Sequence, residues 1–114
     1  MTNLEAAWCH RAKQLSFFTA IITQTLNRHG VSVSRAARAA SLFTDEAQQG
    51  RPPGELFTEG RTFLILRKDG PVVVKADYDP SFSDLASYND SMIAIDLRQI
   101  VQRVDSILNS NNNI

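Results

Sequence analysis

The dipeptide Asp69-Gly70 stands between two short apolar runs of the kind that forms β-strands. The runs extend from Phe63 to Leu66 and from Val72 to Val74. Aspartate followed by glycine favours the positive φ angles of a tight turn, so this spacing predicts an antiparallel β-hairpin. Both runs are continuously apolar rather than alternating, which predicts that both faces of the hairpin are covered.

A two-stranded hairpin is marginally stable by itself in water, so other elements must pack on it or pair with it. The segment from Met92 to Ile95 is consistent with a third strand or with the first turn of a helix. A second copy of the chain could also cover the hairpin. We favour such a homodimer, because three helices are few to hide so many apolar side chains. The candidate partner-binding residues are Leu64, Leu66, Val72, Val73 and Val74.

A long amphipathic helix is predicted before the hairpin. Thr2 to Glu5 has the pattern of a capping box, and Gly30 ends the helix after about Arg28. Apolar residues recur every three or four positions between these limits, which predicts one stripe packed against the core. The stripe consists of Leu4, Trp8, Ala12, Leu15, Phe18, Ile22 and Leu26.

Two further helices complete the predicted fold. An alanine-rich helix is expected over about 34–48, capped by Ser32 or Ser34, and Asp96 can cap a C-terminal helix. The fold class is therefore α+β: two N-terminal helices, an antiparallel β-hairpin with a third strand left open, and a C-terminal helix packed on the sheet. A chain of 114 residues forms one domain, which we place at 1–109, with 110–114 as a frayed polar tail.

Composition excludes some classes of function. Twelve basic residues balance twelve acidic ones, which argues against a protein that coats nucleic acid or an anionic membrane. No apolar run approaches the ~20 residues of a membrane span. The single cysteine, Cys9, suits a reducing compartment, and the N-terminus has no signal-peptide pattern. We therefore expect a cytoplasmic protein without membrane contact.

No local pattern predicts a catalytic, cofactor-binding or metal-binding residue. Cys9 and His10 are adjacent on a helix and point roughly 100° apart, so we expect a buried thiol beside an exposed imidazole. The run Asp77-x-Asp79-x-Ser81 begins like a calcium loop, but Phe82 and Tyr88 stand where the loop needs glycine and glutamate. No glycine-rich loop is placed to hold a phosphate, so no cofactor is predicted.

Four basic residues suggest an alternative. Arg35 and Arg38 lie one turn apart on the second helix, and Arg67 and Lys68 lie at the tip of the hairpin. This order loosely resembles a recognition helix followed by a wing. The third helix that should precede the wing falls on the Pro52-Pro53 loop, however, and the chain has no net charge. We therefore predict no specific DNA binding.

These observations favour a non-enzymatic protein–protein interaction module, such as an adaptor, a chaperone-like accessory subunit or an inhibitor. Its partner is another protein of unknown identity, and we expect it to form a homodimer. Two alternatives stay open. One is a winged-helix-like DNA-binding regulator. The other is a small enzyme or ligand-binding domain whose site forms only in three dimensions.

Overall fold

The computed structural model describes residues 3–76 and 92–112. The elements along the chain are α1 (Asn3–Arg28), α2 (Val33–Thr44), β1 (Arg61–Arg67), β2 (Gly70–Ala76), β3 (Ile93–Asp96) and α3 (Leu97–Asn112). The strands form one antiparallel sheet in the order β2-β1-β3. All three helices contribute to one apolar core with the sheet. The predicted α+β class and its order of elements are confirmed.

The central strand β1 is buried on both faces. Leu64 pairs with Val73 on one side and with Ile95 on the other, and these three side chains join the helices in the core. Phe63 and Ile65 alternate with Leu64 and therefore face the other way, yet only 2% and 7% of their surfaces are exposed. The unbroken apolar run of β1 thus corresponds to a strand covered on both sides, as predicted.

The ambiguous segment near Met92 is a strand. Residues Ile93–Asp96 form β3 and pair with β1 from Leu66 to Phe63. The hairpin therefore belongs to a three-stranded sheet within a single chain. This arrangement is one of the two that the sequence left open.

The hairpin is present, but its turn differs from the predicted one. Arg67 pairs with Gly70, so the two loop residues are Lys68 and Asp69, and Gly70 is the first residue of β2. Gly70 has a φ of 124°, and no other type of residue has a positive φ in the described ranges. A primed turn needs positive φ at its central positions, which Lys68 and Asp69 lack. The conformational freedom of glycine is used at the first position of β2.

Backbone hydrogen bonds explain the sharp end of α1. The N–H of Val31 donates to the carbonyl of Leu26 at 3.1 Å, and the N–H of Gly30 donates to that of Asn27 at 3.1 Å. This pair of bonds is a Schellman motif, and Gly30 has the positive φ of 90° that the motif requires. Val31 is buried in the core beside Leu26 and so fixes where α2 begins.

The caps of the other two helices follow from their sequences. Ser32 caps α2, accepting from the N–H of Arg35 at 3.4 Å. Asp96 caps α3, accepting from the N–H of Arg98 at 3.0 Å. Helix α2 ends at Thr44, before the predicted 48. Helix α3 continues to Asn112 and includes 110–112 of the predicted tail, whereas 113 and 114 lie outside the described residues.

Candidate functional site

The two halves of α1 have very different surroundings. Phe18, Ile22 and Leu26 are completely buried, whereas Leu4 and Trp8 are each 70% exposed. At roughly 100° per residue, both exposed side chains point within about 40° of the direction of Ile22. They therefore continue the stripe that packs against the core. The prediction that the whole stripe packs against the core is wrong for its first three members, because Ala12 is exposed as well.

The body of the domain ends at Arg11. One Nη atom of Arg11 donates to the carbonyl oxygen of Pro53 at 2.8 Å, and the other donates to Gln14 Oε1 at 2.5 Å. The Gln14 amide in turn donates to Asp105 on α3 at 3.2 Å. On the N-terminal side of these contacts, every residue of 3–10 is exposed. We call this segment the α1 overhang; its length is roughly 12 Å, or two helical turns.

The overhang also carries Cys9 and His10. Both are exposed, so the prediction of a buried thiol is wrong, because the core does not extend to this part of α1. No group of three His, Cys, Asp or Glu residues that could hold a metal ion occurs in 3–76 or 92–112. The calcium-like run at 77–81 lies outside the described residues.

Arg51 is a buried arginine in the loop that also holds Pro52 and Pro53, and no pattern in the sequence predicted its burial. It is 2% exposed, and its guanidinium donates to the carbonyl oxygens of Leu42 and Phe43 at 3.1 and 3.0 Å. Its remaining acceptors are Gln48 Oε1 and the carbonyl oxygens of Glu46, Pro52 and Glu55.

The role of Arg51 is to close the end of α2. Burial lowers the pKa of its guanidinium, and the carboxylate of Glu46 opposes that shift. All three nitrogens already donate to protein acceptors, so the side chain has little capacity left for a ligand. Its position over the ring of Phe43, 5.4 Å from the centroid, adds a cation–π contact. We therefore assign Arg51 to structure, as a cap for the last carbonyls of α2.

The five predicted partner-binding residues divide between the two faces of the sheet. Leu64, Leu66 and Val73 are at most 4% exposed and belong to the core shared with the helices. Val72 and Val74 lie on the opposite face and are half-buried. Of the five residues, only Val72 and Val74 therefore have exposed surface that a partner could contact.

Three of the four predicted nucleic-acid residues come together. Arg35, Arg67 and Lys68 line one cleft of about 340 Å³, together with His29, which the sequence analysis did not include. Arg38 is exposed on α2 and does not line it. No helix lies between α2 and β1, so a winged-helix order is absent from this fully described stretch. The convergence of His29 with the hairpin tip could not be seen in the sequence, because it depends on how α1 meets the sheet.

A larger cavity lies between α1, β3 and α3. It measures about 430 Å³, and its polar lining includes Thr25, Asp96, Gln99 and Arg103. The hydroxyl of Thr25 donates to the carbonyl of Ile21 at 2.7 Å. The carboxylate of Asp96 pairs with the guanidinium of Arg61 and accepts the N–H of Arg98 at the start of α3. Neither the amide of Gln99 nor the guanidinium of Arg103 acts as a general base or a nucleophile. This cavity does not supply the groups that hydrolysis or acyl transfer needs.

Comparison with known proteins gives no relative: no family model, no curated protein and no solved structure matches the chain. Within the described ranges, no helix combines the length and apolar character that crossing a membrane requires.

Proposed function

We propose that this protein is a non-enzymatic protein–protein interaction module that binds its partner through the α1 overhang. The observation that carries the proposal is the exposure of Leu4 and Trp8, 70% each, on the stripe that is completely buried further along the helix. Burying a side chain of this size is worth about 1.5–3 kcal/mol, so covering both provides a substantial driving force for association. Tryptophan is also among the residues enriched at the energetic centres of interfaces.

The partner best suited to the overhang is a protein with an apolar groove. Leu4 and Trp8 have the i, i+4 spacing by which a helix anchors in such a groove. A second copy of the overhang is a poorer occupant, because a stable interface buries about 800 Å² on each side. Two turns of helix against two turns offer much less contact, whereas a groove encloses a helix from several directions. This mode of binding is compatible with an adaptor, an accessory subunit or an inhibitor.

The homodimer across the hairpin remains a separate prediction. Its interface would use Val72 and Val74, which keep exposed area, rather than Val73, which is 4% exposed in the core. Light scattering of the Val72→Lys/Val74→Lys double variant tests it. A dimeric wild-type chain and a folded monomeric variant are expected, and a monomeric wild-type chain at high micromolar concentration rules the dimer out.

A capture experiment tests the overhang directly. The immobilised chain is compared with Trp8→Glu and with the control Val33→Glu in an extract of the native host. Val33 is 60% exposed at the start of α2, so the control places the same charge on an exposed apolar residue elsewhere. We expect a protein that is retained by wild type and Val33→Glu but lost from Trp8→Glu. If both variants retain the same proteins as wild type, the overhang is not the binding site.

Fluorescence distinguishes a groove from a second copy. Trp8 is the only tryptophan in the chain, so tryptophan emission, excited selectively over that of the two tyrosines, reports on the overhang. The emission maximum is expected to move to shorter wavelength when the captured partner is added. If it moves with increasing concentration of the isolated chain, a second copy occupies the overhang and the groove proposal is wrong.

A further inference from the structure

We propose that the cleft between the end of α1, the first turn of α2 and the β1–β2 turn binds the phosphate of a nucleotide. The cleft has a volume of about 340 Å³ and is lined by His29, Arg35, Arg67 and Lys68. This volume is near the lower end of the ~300–1,000 Å³ range of small-molecule sites. Its size suits a single nucleotide.

The charge at the cleft contrasts with that of the whole chain. Twelve basic and twelve acidic residues cancel overall, yet among the residues that the structure describes the lining holds three cationic side chains and no carboxylate. The nearest carboxylate in sequence, Asp69, lies on the turn beside Lys68 and does not line the cleft. Like charges held close together repel one another, and an anion placed among them relieves that repulsion.

The cations of the cleft are available for a ligand. In the part of the chain that the structure describes, Arg11, Arg51 and Arg61 each donate to an oxygen of the protein. The side chains of Arg35 and Lys68 have no such partner there. Guanidinium and ammonium groups are the donors that proteins use for phosphate oxygens, and charge-assisted bonds of this kind are the stronger class.

His29 is held in position by its own helix. Its Nδ1 lies 2.8 Å from the carbonyl oxygen of Thr25, and a carbonyl oxygen can only accept, so Nδ1 carries the hydrogen. The other ring nitrogen, Nε2, is therefore free of this bond. It is the ring nitrogen that remains for a ligand in the cleft.

The base of the cleft is apolar. Leu66 and Val31 are 4% and 6% exposed, and Ile93 and Met92 are half-buried beside them. An inorganic anion contacts only the charged side chains at the rim of the cleft, which are Arg35, Arg67 and Lys68. A nucleotide can also place its base against the apolar surface below them. The combination of rim and base favours the nucleotide over phosphate alone.

The glycine amides provide the readout in a ¹H–¹⁵N NMR titration of the full chain with adenosine 5′-monophosphate. Gly30 lines the cleft, whereas Gly54 contacts Leu15 and Arg11 near the other end of α1. We expect the Gly30 amide to shift with saturation and the Gly54 amide to stay in place. Adenosine without phosphate should produce no shift, and inorganic phosphate should bind more weakly than the nucleotide. Absence of a Gly30 shift at millimolar nucleotide overturns the proposal, as does equal binding of adenosine.

Matched charge variants locate the binding. Arg35→Gln and Lys68→Gln should each weaken nucleotide binding by about tenfold. Arg38→Gln removes the same charge one turn further along α2, outside the cleft, and should leave binding unchanged. If Arg38→Gln weakens binding as much as Arg35→Gln, general surface charge rather than the cleft attracts the ligand, and the proposal is wrong.

An oligonucleotide separates the two sources of such a phosphate. A 5′-phosphorylated tetrathymidylate and its unphosphorylated form are added to the same three variants. Equal or weaker binding of the phosphorylated oligomer compared with the free nucleotide supports a small-molecule site. Much tighter binding of both oligomers, weakened also by Arg38→Gln, would show that this face contacts a nucleic-acid backbone, which contradicts the proposal.

Discussion

The first and second halves of α1 carry the same apolar period but have opposite surroundings. From Leu15 onward the stripe packs against α2 and α3 in the core that these helices share with the sheet, and Phe18, Ile22 and Leu26 are completely buried. From Asn3 to His10 the helix continues without any covering element among the described residues. A helical period therefore predicts which face of a helix is apolar, while the length of the neighbouring elements decides how much of that face is covered.

The boundary between the two halves is built by side chains from distant parts of the chain. Arg11 reaches Pro53, Gln14 reaches Asp105, and Gly54 packs against Leu15. Arg51 holds the loop that carries Pro53 and Gly54 against the end of α2. Five substitutions, two of them with matched controls, test this division between a buried half that maintains the fold and an exposed half that is free to bind.

The largest effect is expected in the buried half. Phe18→Ala removes a ring that is 0% exposed and lies 5.5 Å from the ring of Phe43. The free energy of unfolding should fall by about 3–5 kcal/mol, as is typical for Phe→Ala in a core. Urea denaturation followed by circular dichroism measures it. A loss below about 1 kcal/mol would mean that this half of α1 is not tightly packed.

The next effect is expected at the loop that supports the boundary. Arg51→Met keeps an aliphatic stem but removes every guanidinium donor. The carbonyl of Leu42 then loses the guanidinium, whereas the carbonyl of Phe43 keeps the N–H of Gly54, which donates to it at 2.7 Å. The stability should fall by about 2–4 kcal/mol, since unpaired buried polar groups cost about 1–3 kcal/mol each. The control Arg38→Met changes an exposed arginine of α2 and should alter stability by less than about 0.5 kcal/mol. If the two variants are equally stable, the guanidinium of Arg51 does not stabilise the loop at this boundary.

A smaller effect is expected where the two halves meet. A Cβ atom at Gly54 would lie 2.4 Å from Leu15 Cδ2, and the φ of +73° is unfavourable for other residues. Gly54→Ala should therefore destabilise the chain by about 1–3 kcal/mol through overpacking and backbone strain. The control Gly30→Ala has a φ of +90° but no atom within 4 Å, so it carries only the strain. If the two variants are equally stable, the close packing of Gly54 against Leu15 contributes nothing to the free energy of unfolding.

The smallest effect on stability is expected in the exposed half. Leu4→Ala and Trp8→Ala should each change the free energy of unfolding by less than about 0.5 kcal/mol, because neither side chain packs in the core. The emission of Trp8 in the dilute chain should also resemble that of tryptophan in water and change little on unfolding. Emission at short wavelength in the dilute native chain would show that the overhang is covered. That result would contradict the division of α1 into a buried half and an exposed half.

Local chemistry was sufficient to predict the elements and their order. The run from Phe63 to Leu66 predicted a strand buried on both faces, and Asp69-Gly70 predicted the hairpin. Asp96 was predicted as the cap of α3 and Ser32 as one of two candidate caps of α2, because a side-chain oxygen before an apolar period has few other local roles. The exact turn was missed, since a glycine with positive φ serves either at the centre of a turn or just after it.

The candidate sites were predicted only in part. The sequence predicted a basic group near the turns, formed by Arg35, Arg67 and Lys68. His29 lines the same cleft only because the end of α1 lies beside the hairpin. Leu4 and Trp8 were assigned to the buried stripe, because nothing in their local sequence differs from that of Ile22 and Leu26. Arg51 gave no signal, since a buried arginine in a loop depends on six oxygen acceptors that the fold brings together.

The sequence by itself determined the helices, the hairpin, the caps and the α+β class, because these depend on side-chain period and on backbone preferences within a few residues. The tertiary structure decided three other matters: the pairing of β3 with β1, the point at which the core stops covering α1, and the meeting of cations from α2 and the hairpin in one cleft. Each of these depends on contacts between residues far apart in the chain. Such contacts are fixed by the lengths and packing of whole elements, which no local pattern records.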